Sequence, residues 1–379
     1  MRERFQRAAA VMKQAGVDLL LLTPGADLFY LTGFEHGHAA ERLLGLALRS
    51  DGSATWISPA MNVPQVEEHA LAGEAVRGWS DTEWYLPPLT EAVKDARTIA
   101  FDDEARSAFL LDLIGAAPKS RVVGSGTIMR GLRLHKDAAE LALLRKAAAQ
   151  VDRTIPLAAA MCKPGRTESQ IDHELRDVLQ SADRDSAVAF TIIASGQNAA
   201  LPHHETGDRK IETGDVVIID FGTRVPVSLQ GKHGQQLSRL YGYHSDITIT
   251  CTAGPAEDAE VSKVYKTVYE AQRAAINAVK PGVRCEQIDK AARSVIEAAG
   301  YGPNFLHRTG HGLGLQVHEA PYMKTGNAEL LETGMVFSIE PGIYLPGRFG
   351  VRLEVIVSVG KTGCDPINAA SSPEILIGR

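Results

Sequence analysis

A chain of 379 residues, 44% hydrophobic and 23% charged, is long enough for two domains with separate cores and has the make-up of an ordinary soluble globular protein. A net charge of −6, from 40 basic against 46 acidic side chains, leaves no basic footprint for nucleic acid. The four cysteines, Cys162, Cys251, Cys285 and Cys364, are scattered without a CxxC pair, which favours free thiols over a disulfide ladder or a zinc knuckle.

The chain opens with an amphipathic charged helix, MRERFQRAAAVMKQAG, followed by an apolar run at 19–22 too short for a signal segment or a membrane span. A cytoplasmic location is expected. Strands are expected at 17–22, around 28–31, at 46–48 and at 54–57, with Asp51-Gly52 as the hairpin turn between the last two. Glu35-His36-Gly37-His38 has a metal-like spacing, but no third ligand is near in sequence, so a solvated loop is the preferred reading. Short strands at 98–101 and 122–123 flank a helix near 106–114, and Gly124-Ser125-Gly126 reads as a hinge. A helix then starts at Asp137, an N-cap with Glu140 in the capping-box position, and Pro156 is expected to bend or break it. Residues 1–130 thus form an α/β domain and residues 131–379 a second one.

The second domain repeats itself. ETGDVVIIDFG at 212–222 returns as ETGMVFSIEPG at 332–342, which sets Asp220 opposite Glu340, and KPGRTESQID at 163–172 returns as KPGVRCEQID at 280–289. Two matches in one order at so long a period indicate duplicated halves in a pseudo-twofold α+β domain, with a pair of acids meeting near the pseudo-axis. Asp220 ends the apolar strand 216–219, and Asp246 precedes the alternation Ile247, Thr248, Ile249, Thr250. A strand at 335–339 ends in Glu340, Pro341-Gly342 breaks it, and a second strand at 351–359 runs around Glu354. Carboxylates buried in strands need partners. HRTGHGLGLQVHE adds His307, His311 and His318, and four acids with one imidazole form a donor set for a pair of divalent ions. Mn²⁺ is the first choice, with Co²⁺, Zn²⁺ or Fe²⁺ as substitutes, and a thiolate zinc site is disfavoured.

These residues resemble the pita-bread metallopeptidases, the M24 group of methionine aminopeptidase, aminopeptidase P and prolidase. The likeness spans essentially the whole chain, since DLFYLTGF at 27–34 looks like the creatinase-type N-terminal domain that methionine aminopeptidase lacks. The resemblance implies that Asp220, Asp246, His311, Glu340 and Glu354 ligate a dinuclear centre, with Asp246 and Glu354 bridging. It makes His203 in NAALPHH the substrate-side histidine, His318 the contact to the scissile carbonyl, His307 the histidine four residues before the ligand and Arg352 a support of the centre. Glu340 becomes the proton acceptor.

The implied reaction is hydrolysis of N-terminal Xaa-Pro bonds in small peptides by a homodimer, favoured as a dipeptidase (prolidase), with aminopeptidase P action on longer peptides as the alternative. Two departures stand out. The stretch 225–241, VPVSLQGKHGQQLSRLY, widens the gap between Asp220 and Asp246 and reads as a hairpin-tip insertion, solvated or at a dimer contact. Val355 stands where the family commonly has an acid. A dipeptidase needs a cation for the carboxylate on the proline, and Arg42 is the candidate reader, with Lys232, His233 or Arg239 of the insertion as a further source. A binding protein that has lost its metals, or a creatinase-like amidinohydrolase, is disfavoured because all five ligands are kept.

Overall fold

The structure, a computed structural model, describes residues 2–36, 41–71, 73–231, 234–256 and 258–378. The chain divides into two compact units, residues 1–133 with 227–241, and residues 134–226 with 242–379.

In the first unit, α1 (Arg2–Ala15) buries Phe5, Ala8, Ala9 and Met12, a stripe at helical spacing. β1 (Leu19–Leu22) is four leucines, all buried. Then come α2 (Ala26–Thr32), β2 (Gly45–Arg49), β3 (Ala54–Pro59), α3 (Val63–His69), β4 (Ala75–Trp79), α4 (Leu86–Val93), β5 (Thr98–Phe101), α5 (Ser107–Ala116), β6 (Arg121–Gly124) and α6 (Gly126–Leu134). Among the described residues the strands form one sheet, ordered β4-β3-β2-β1-β5-β6. β2 runs antiparallel to β1 and β3, and the other pairs are parallel.

Two expectations fail here. The segment at 28–31 is the middle of α2, not a strand: Leu28, Phe29, Tyr30 and Leu31 are all buried, so no alternation could separate the two readings. The Gly33 N–H closes the helix on the Phe29 carbonyl at 2.8 Å. Nor is Gly124-Ser125-Gly126 a hinge. β6 leads directly into α6, the Ser125 N–H donates to the Phe101 carbonyl at 2.7 Å and the Gly126 N–H to Asp103 at 2.9 Å.

The second unit holds α7 (Ala138–Met161), α8 (Glu168–Ala182), β7 (Ala187–Ser195), β8 (Val216–Gly231), β9 (Gly234–His244), β10 (Ile247–Ala253), α9 (Ala259–Ala278) and α10 (Cys285–Ala298). Its later part adds β11 (Gly310–Gly312), β12 (Glu319–Met323), β13 (Val336–Ile339), β14 (Gly342–Leu345), β15 (Phe349–Arg352), β16 (Val355–Val359), β17 (Cys364–Pro366) and β18 (Leu376–Gly378). One sheet runs β18-β10-β8-β7 with β9 on β8, another β12-β11-β13-β16-β17, and β14 pairs with β15.

α7 has its capping box: Asp137 accepts the Glu140 N–H at 2.9 Å and Glu140 accepts the Asp137 N–H at 2.8 Å. It is not broken at Pro156 but continues to Met161, because buried Val151, Thr154, Ala158 and Ala159 pin the turns on both sides. The duplication is visible as structure. Thr167 bridges Lys210 and Arg284 bridges Leu330, the Gln170 and Gln287 side chains accept the N–H of those same residues at 3.1 and 2.9 Å, and the repeated turns put Gly214 and Gly334 at φ 86 and 91. The strand expected at 351–359 is two strands, β15 and β16, parted at Leu353-Glu354.

The widened gap is the β8–β9 hairpin, and its outer part belongs to the first unit while Leu237, Arg239 and Leu240 on it remain exposed to solvent. There Tyr241 stacks on Phe29 with ring centres 4.6 Å apart, and Glu35 accepts the Ser238 hydroxyl and the N–H of Arg239 and Leu240 at 3.1 and 3.3 Å. Glu35 is thereby a clamp for the hairpin. His36 rests near Phe34, while His38, Lys232 and His233 lie outside the described residues. Cys162, Cys251 and Cys285 are buried, Cys364 is half-buried, and all four are free thiols. No helix among the described residues is long and apolar enough to cross a membrane.

Candidate metal centre

The acids reach one place because Asp246, Glu340 and Glu354 stand at strand ends beside Asp220, which lies within β8. Asp220 on β8 faces Thr248 on β10 and Ile192 on β7. Asp246 immediately precedes β10. Glu340 and Glu354 flank the antiparallel pair β13–β16 at one end, where Ile339 opposes Val355. His311 lies in β11, its N–H donating to Ser338 Oγ at 3.0 Å. The Glu354 N–H donates to the Thr248 carbonyl at 3.0 Å, which ties the two sheets together at the centre.

Asp246, His311 and Glu354 are buried and place one ligating atom each within 4.8 Å of one another. His311 Nε2 lies 3.2 Å from Glu340 Oε1 and 3.6 Å from Asp246 Oδ2. Its Nδ1 stands 3.1 Å from the Gly312 carbonyl, so Nδ1 carries the proton and the Nε2 lone pair faces carboxylate oxygens. Lone pairs turned on one another are repulsive unless a proton or a metal cation sits between them. Two oxygens of the cluster, Asp220 Oδ1 and Glu354 Oε1, are buried without a hydrogen-bond partner.

The electrostatics point the same way. Burial first, and then the charges of Glu354, Asp220 and Glu340, push the Asp246 carboxyl well above its ordinary range. Burial and the neighbouring acids do the same to Glu354, and burial raises Glu340. Burial drives His311 down to about 4. This donor set, hard oxygens with one neutral imidazole and two orphaned oxygens, fits divalent cations.

Arg352 is the buried cation of the centre. Its Nη2 donates to Asp220 Oδ2 at 2.8 Å, Nη1 to the Tyr344 hydroxyl at 3.0 Å and Nε to Thr248 Oγ1 at 3.0 Å. Thr248 in turn donates to Glu354 Oε2 at 2.8 Å. Because Arg352 donates to Tyr344, that hydroxyl is free to donate to His307 Nε2, 2.8 Å away, while His307 Nδ1 donates to the Arg308 carbonyl at 2.8 Å. His307 is a fixed neutral ring, its pKa lowered by burial.

The centre forms the floor of a pocket of about 540 Å³, within the size range of small-molecule sites. His203, His307, His318 and Arg352 line it together with the four acids and the His311 imidazole named above. His318 packs against His311 with ring centres 4.2 Å apart, and burial and His311 push it down to about 4. Phe190, Ile192, Pro202 and Val317 give the pocket an apolar wall.

Arg42 belongs to the first unit, where it forms a two-pronged ion pair with Asp81 at 3.0 and 2.9 Å. Sequence reasoning missed Arg308, which lines the pocket with its guanidinium 4.8 Å from the Tyr322 ring centre. Its position next to His307 was the available signal. Tyr344 was also missed, since in the sequence it is one more apolar strand residue.

Comparison with known proteins agrees with this geometry. Residues 142–361 match Metallopeptidase family M24, and residues 4–135 match the Creatinase/Prolidase N-terminal domain. A protein of Mycobacterium tuberculosis named probable dipeptidase PepE is 38% identical over 371 residues, covering 96% of this chain and 93% of that one. The crystal structure of dipeptidase PepE from Mycobacterium ulcerans superposes with a TM-score of 0.90 at 38% identity, covering 99% and 97% of the two chains. That of a recombinant prolidase from Thermococcus sibiricus gives 0.87 at 35% identity, covering 99% and 98%.

Proposed function

The chain belongs to metallopeptidase family M24, and from that premise we propose that this enzyme is a metal-dependent exopeptidase that hydrolyses the Xaa-Pro bond of dipeptides, a prolidase. The observation that carries the reading is the convergence of Asp246, His311 and Glu354 within 4.8 Å at the floor of a pocket with an apolar wall. Asp220, Asp246, His311, Glu340 and Glu354 would hold two divalent ions, Mn²⁺ first, with Co²⁺ or Zn²⁺ as substitutes. Bound there, the ions would make a water acidic enough to give up a proton near neutral pH and would polarise the scissile carbonyl.

The chain's own residues do the rest. Glu340, its carboxyl raised by burial, is the proton acceptor, held by the Ser338 hydroxyl at 3.1 Å. His318, neutral at pH 7, supplies a hydrogen bond to the oxygen that gains charge in the transition state. His203 stands by the leaving nitrogen. A bond before proline is a tertiary amide with a rigid ring and no N–H, so its site needs an apolar slot and no amide acceptor, and Phe190, Ile192, Pro202 and Val317 supply one. The proposal extends to a homodimer acting in the cytoplasm on peptides with proline at the second position.

Dipeptide preference requires a cation on the proline carboxylate. Arg308 is in the pocket, whereas Arg42 would have to exchange Asp81 for substrate. A charge-assisted contact of this kind is worth about 1.5–3 kcal/mol, or roughly 10–150-fold. Arg308→Ala is therefore expected to lower kcat/KM for a Xaa-Pro dipeptide by about that factor while sparing a Xaa-Pro-Xaa tripeptide, with Arg42→Ala changing neither. The reverse pattern would reinstate Arg42 as the reader.

The function itself is tested by comparing a Xaa-Pro dipeptide, a Xaa-Pro-Xaa tripeptide and a Xaa-Ala dipeptide, with Mn²⁺ added and after chelation. Metal-dependent cleavage of the first is the expected result. Preference for the tripeptide would make the enzyme an aminopeptidase P, and cleavage of none would end the reading.

A further inference from the structure

The segment that carries His203 is anchored from behind by a carboxylate that the proposed chemistry does not use. Glu168, the first residue of α8, is fully buried. Its Oε1 accepts the Ser195 N–H and hydroxyl, both at 2.7 Å, and the Asn198 amide at 3.0 Å. Its Oε2 accepts His204 Nε2 at 2.8 Å and the Gly207 N–H at 3.3 Å. Burial alone would raise such a carboxyl, and the donors from Ser195, His204 and Asn198 outweigh it and hold the group below the usual range.

The clamp has two further jaws. Arg209 donates to Ser195 Oγ at 2.8 Å and pairs with Asp215, and a Cβ at Gly196 (φ 52) would stand 2.4 Å from Arg209 Nη2, so the turn favours glycine there. On the other side, the Ala199 carbonyl lies 2.1 Å from where a Cβ at Gly350 would be, on β15, the strand that ends in Arg352. Pro202 and His203 emerge between this clamp and the anchored His204, into the pocket.

We propose that Glu168 is the positioning residue for His203: by fixing Ser195, Asn198 and His204 it holds the segment 196–204 so that the adjacent imidazole faces the acid cluster. This rests on the role assigned to His203 above. The other half of the duplicated domain also uses a helix carboxylate, but from the position that aligns with Asp172, since Glu168 itself aligns with Cys285. Buried Asp289 on α10 accepts the Thr309 N–H and hydroxyl at 3.2 and 2.8 Å and pairs with Arg293, which donates to the Phe305 and His307 carbonyls at 3.1 and 3.0 Å. Each half ties a pocket histidine to a buried carboxylate on the helix that follows its KPG turn.

The test is a double-mutant cycle between Glu168→Ala and His203→Ala, with metal content and hydrogen exchange read alongside. Glu168→Ala is expected to lower kcat/KM for a Xaa-Pro dipeptide by roughly 10–100-fold, as loss of a supporting partner commonly does. In the His203→Ala background it should cost less than about twofold, because the residue it positions is gone. Exchange should quicken at 196–207 and stay unchanged over β10, β13 and β16, with metal content intact. Losses that multiply in the double mutant, or unchanged exchange at 196–207, would overturn the proposal. If Glu168→Ala does not fold, His204→Ala, which removes one of the bonds, goes through the same cycle under the same criteria. Wild-type protein that leaves Xaa-Pro dipeptides uncut would sink the functional reading alone, and the exchange data would still decide the positioning role.

Discussion

Glu354→Gln is expected to abolish measurable peptidase activity, a loss beyond the roughly 10–100-fold typical of a partner outside a ligand set, and at the same time to make the metal-free protein more stable. The two effects have one cause. Asp246, Glu340 and Glu354 are all held above the ordinary carboxyl range, by burial first, and Asp246 and Glu354 also by the neighbouring acids. A carboxyl whose folded pKa lies above its unfolded value costs nothing below the unfolded value, about 4. It destabilises the fold increasingly as pH rises from there to the folded pKa, because the unfolded chain gives up the proton first.

Metal-free wild type should therefore lose thermal stability as pH rises above about 4, at up to about 1.4 kcal/mol per pH unit for each such group until its folded pKa is passed. Divalent cations take the place of those protons, so the gap in Tm between metal-loaded and metal-free protein should widen with pH. Glu354→Gln removes one of the three charges while keeping the shape that accepts from Thr248 at 2.8 Å. Its metal-free form should melt higher than metal-free wild type at pH 8 and close to it at pH 5. Calorimetry at both pH values, with metal content by mass spectrometry, reads this directly. A variant that keeps two ions and full activity would remove Glu354 from the ligand set, and a metal-free wild-type Tm independent of pH would mean that the cluster carries no net repulsion.

Much of this centre was legible in the sequence because its acids sit where a hydrophobic pattern breaks. Asp220 and Glu340 close apolar runs in matched phrases, although β8 continues past Asp220 to Gly231 where a strand end was expected, and Glu354 interrupts a run of buried residues, so their types and places stand out against the local code. The histidines were conspicuous by density. What was not legible depends on distance in sequence. Nothing local distinguishes Tyr344 from a core tyrosine, yet it joins Arg352 to His307. Glu168 reads as an ordinary first-turn acid of a helix until the fold brings Ser195, Asn198 and His204 onto it.

The same limit explains the misread elements. The fully apolar run 28–31 carries no period to choose helix over strand, and Pro156 signals a break that tertiary packing on both sides overrides. The outer hairpin, polar in sequence, finds Glu35 and Phe29 just over two hundred residues earlier in the chain.

Arg352→Lys should be the most damaging conservative change in the second unit. The guanidinium serves three acceptors in three directions, Asp220, Tyr344 and Thr248, and an ammonium on a flexible stem cannot reproduce that fork. Removing one partner of a buried pair outright costs about 3–5 kcal/mol, because the acid left behind is uncompensated, and a lysine keeps the charge but not the fork. Here Asp220 would keep a weaker partner among three other acids, so the cost in the metal-free protein should stand at the lower end of that range or below, at roughly 2–4 °C of Tm per kcal/mol. Divalent cations next to Asp220 would carry part of that charge. The fall in Tm should accordingly be several degrees smaller in Mn²⁺-loaded than in metal-stripped protein, while kcat falls in both Xaa-Pro assays because Tyr344 and His307 lose their fixed orientation. Equal falls in Tm with and without metal would assign the worth of Arg352 to its bonds with Tyr344 and Thr248, not to the charge of Asp220, and would weaken the case that Asp220 faces a cation at all.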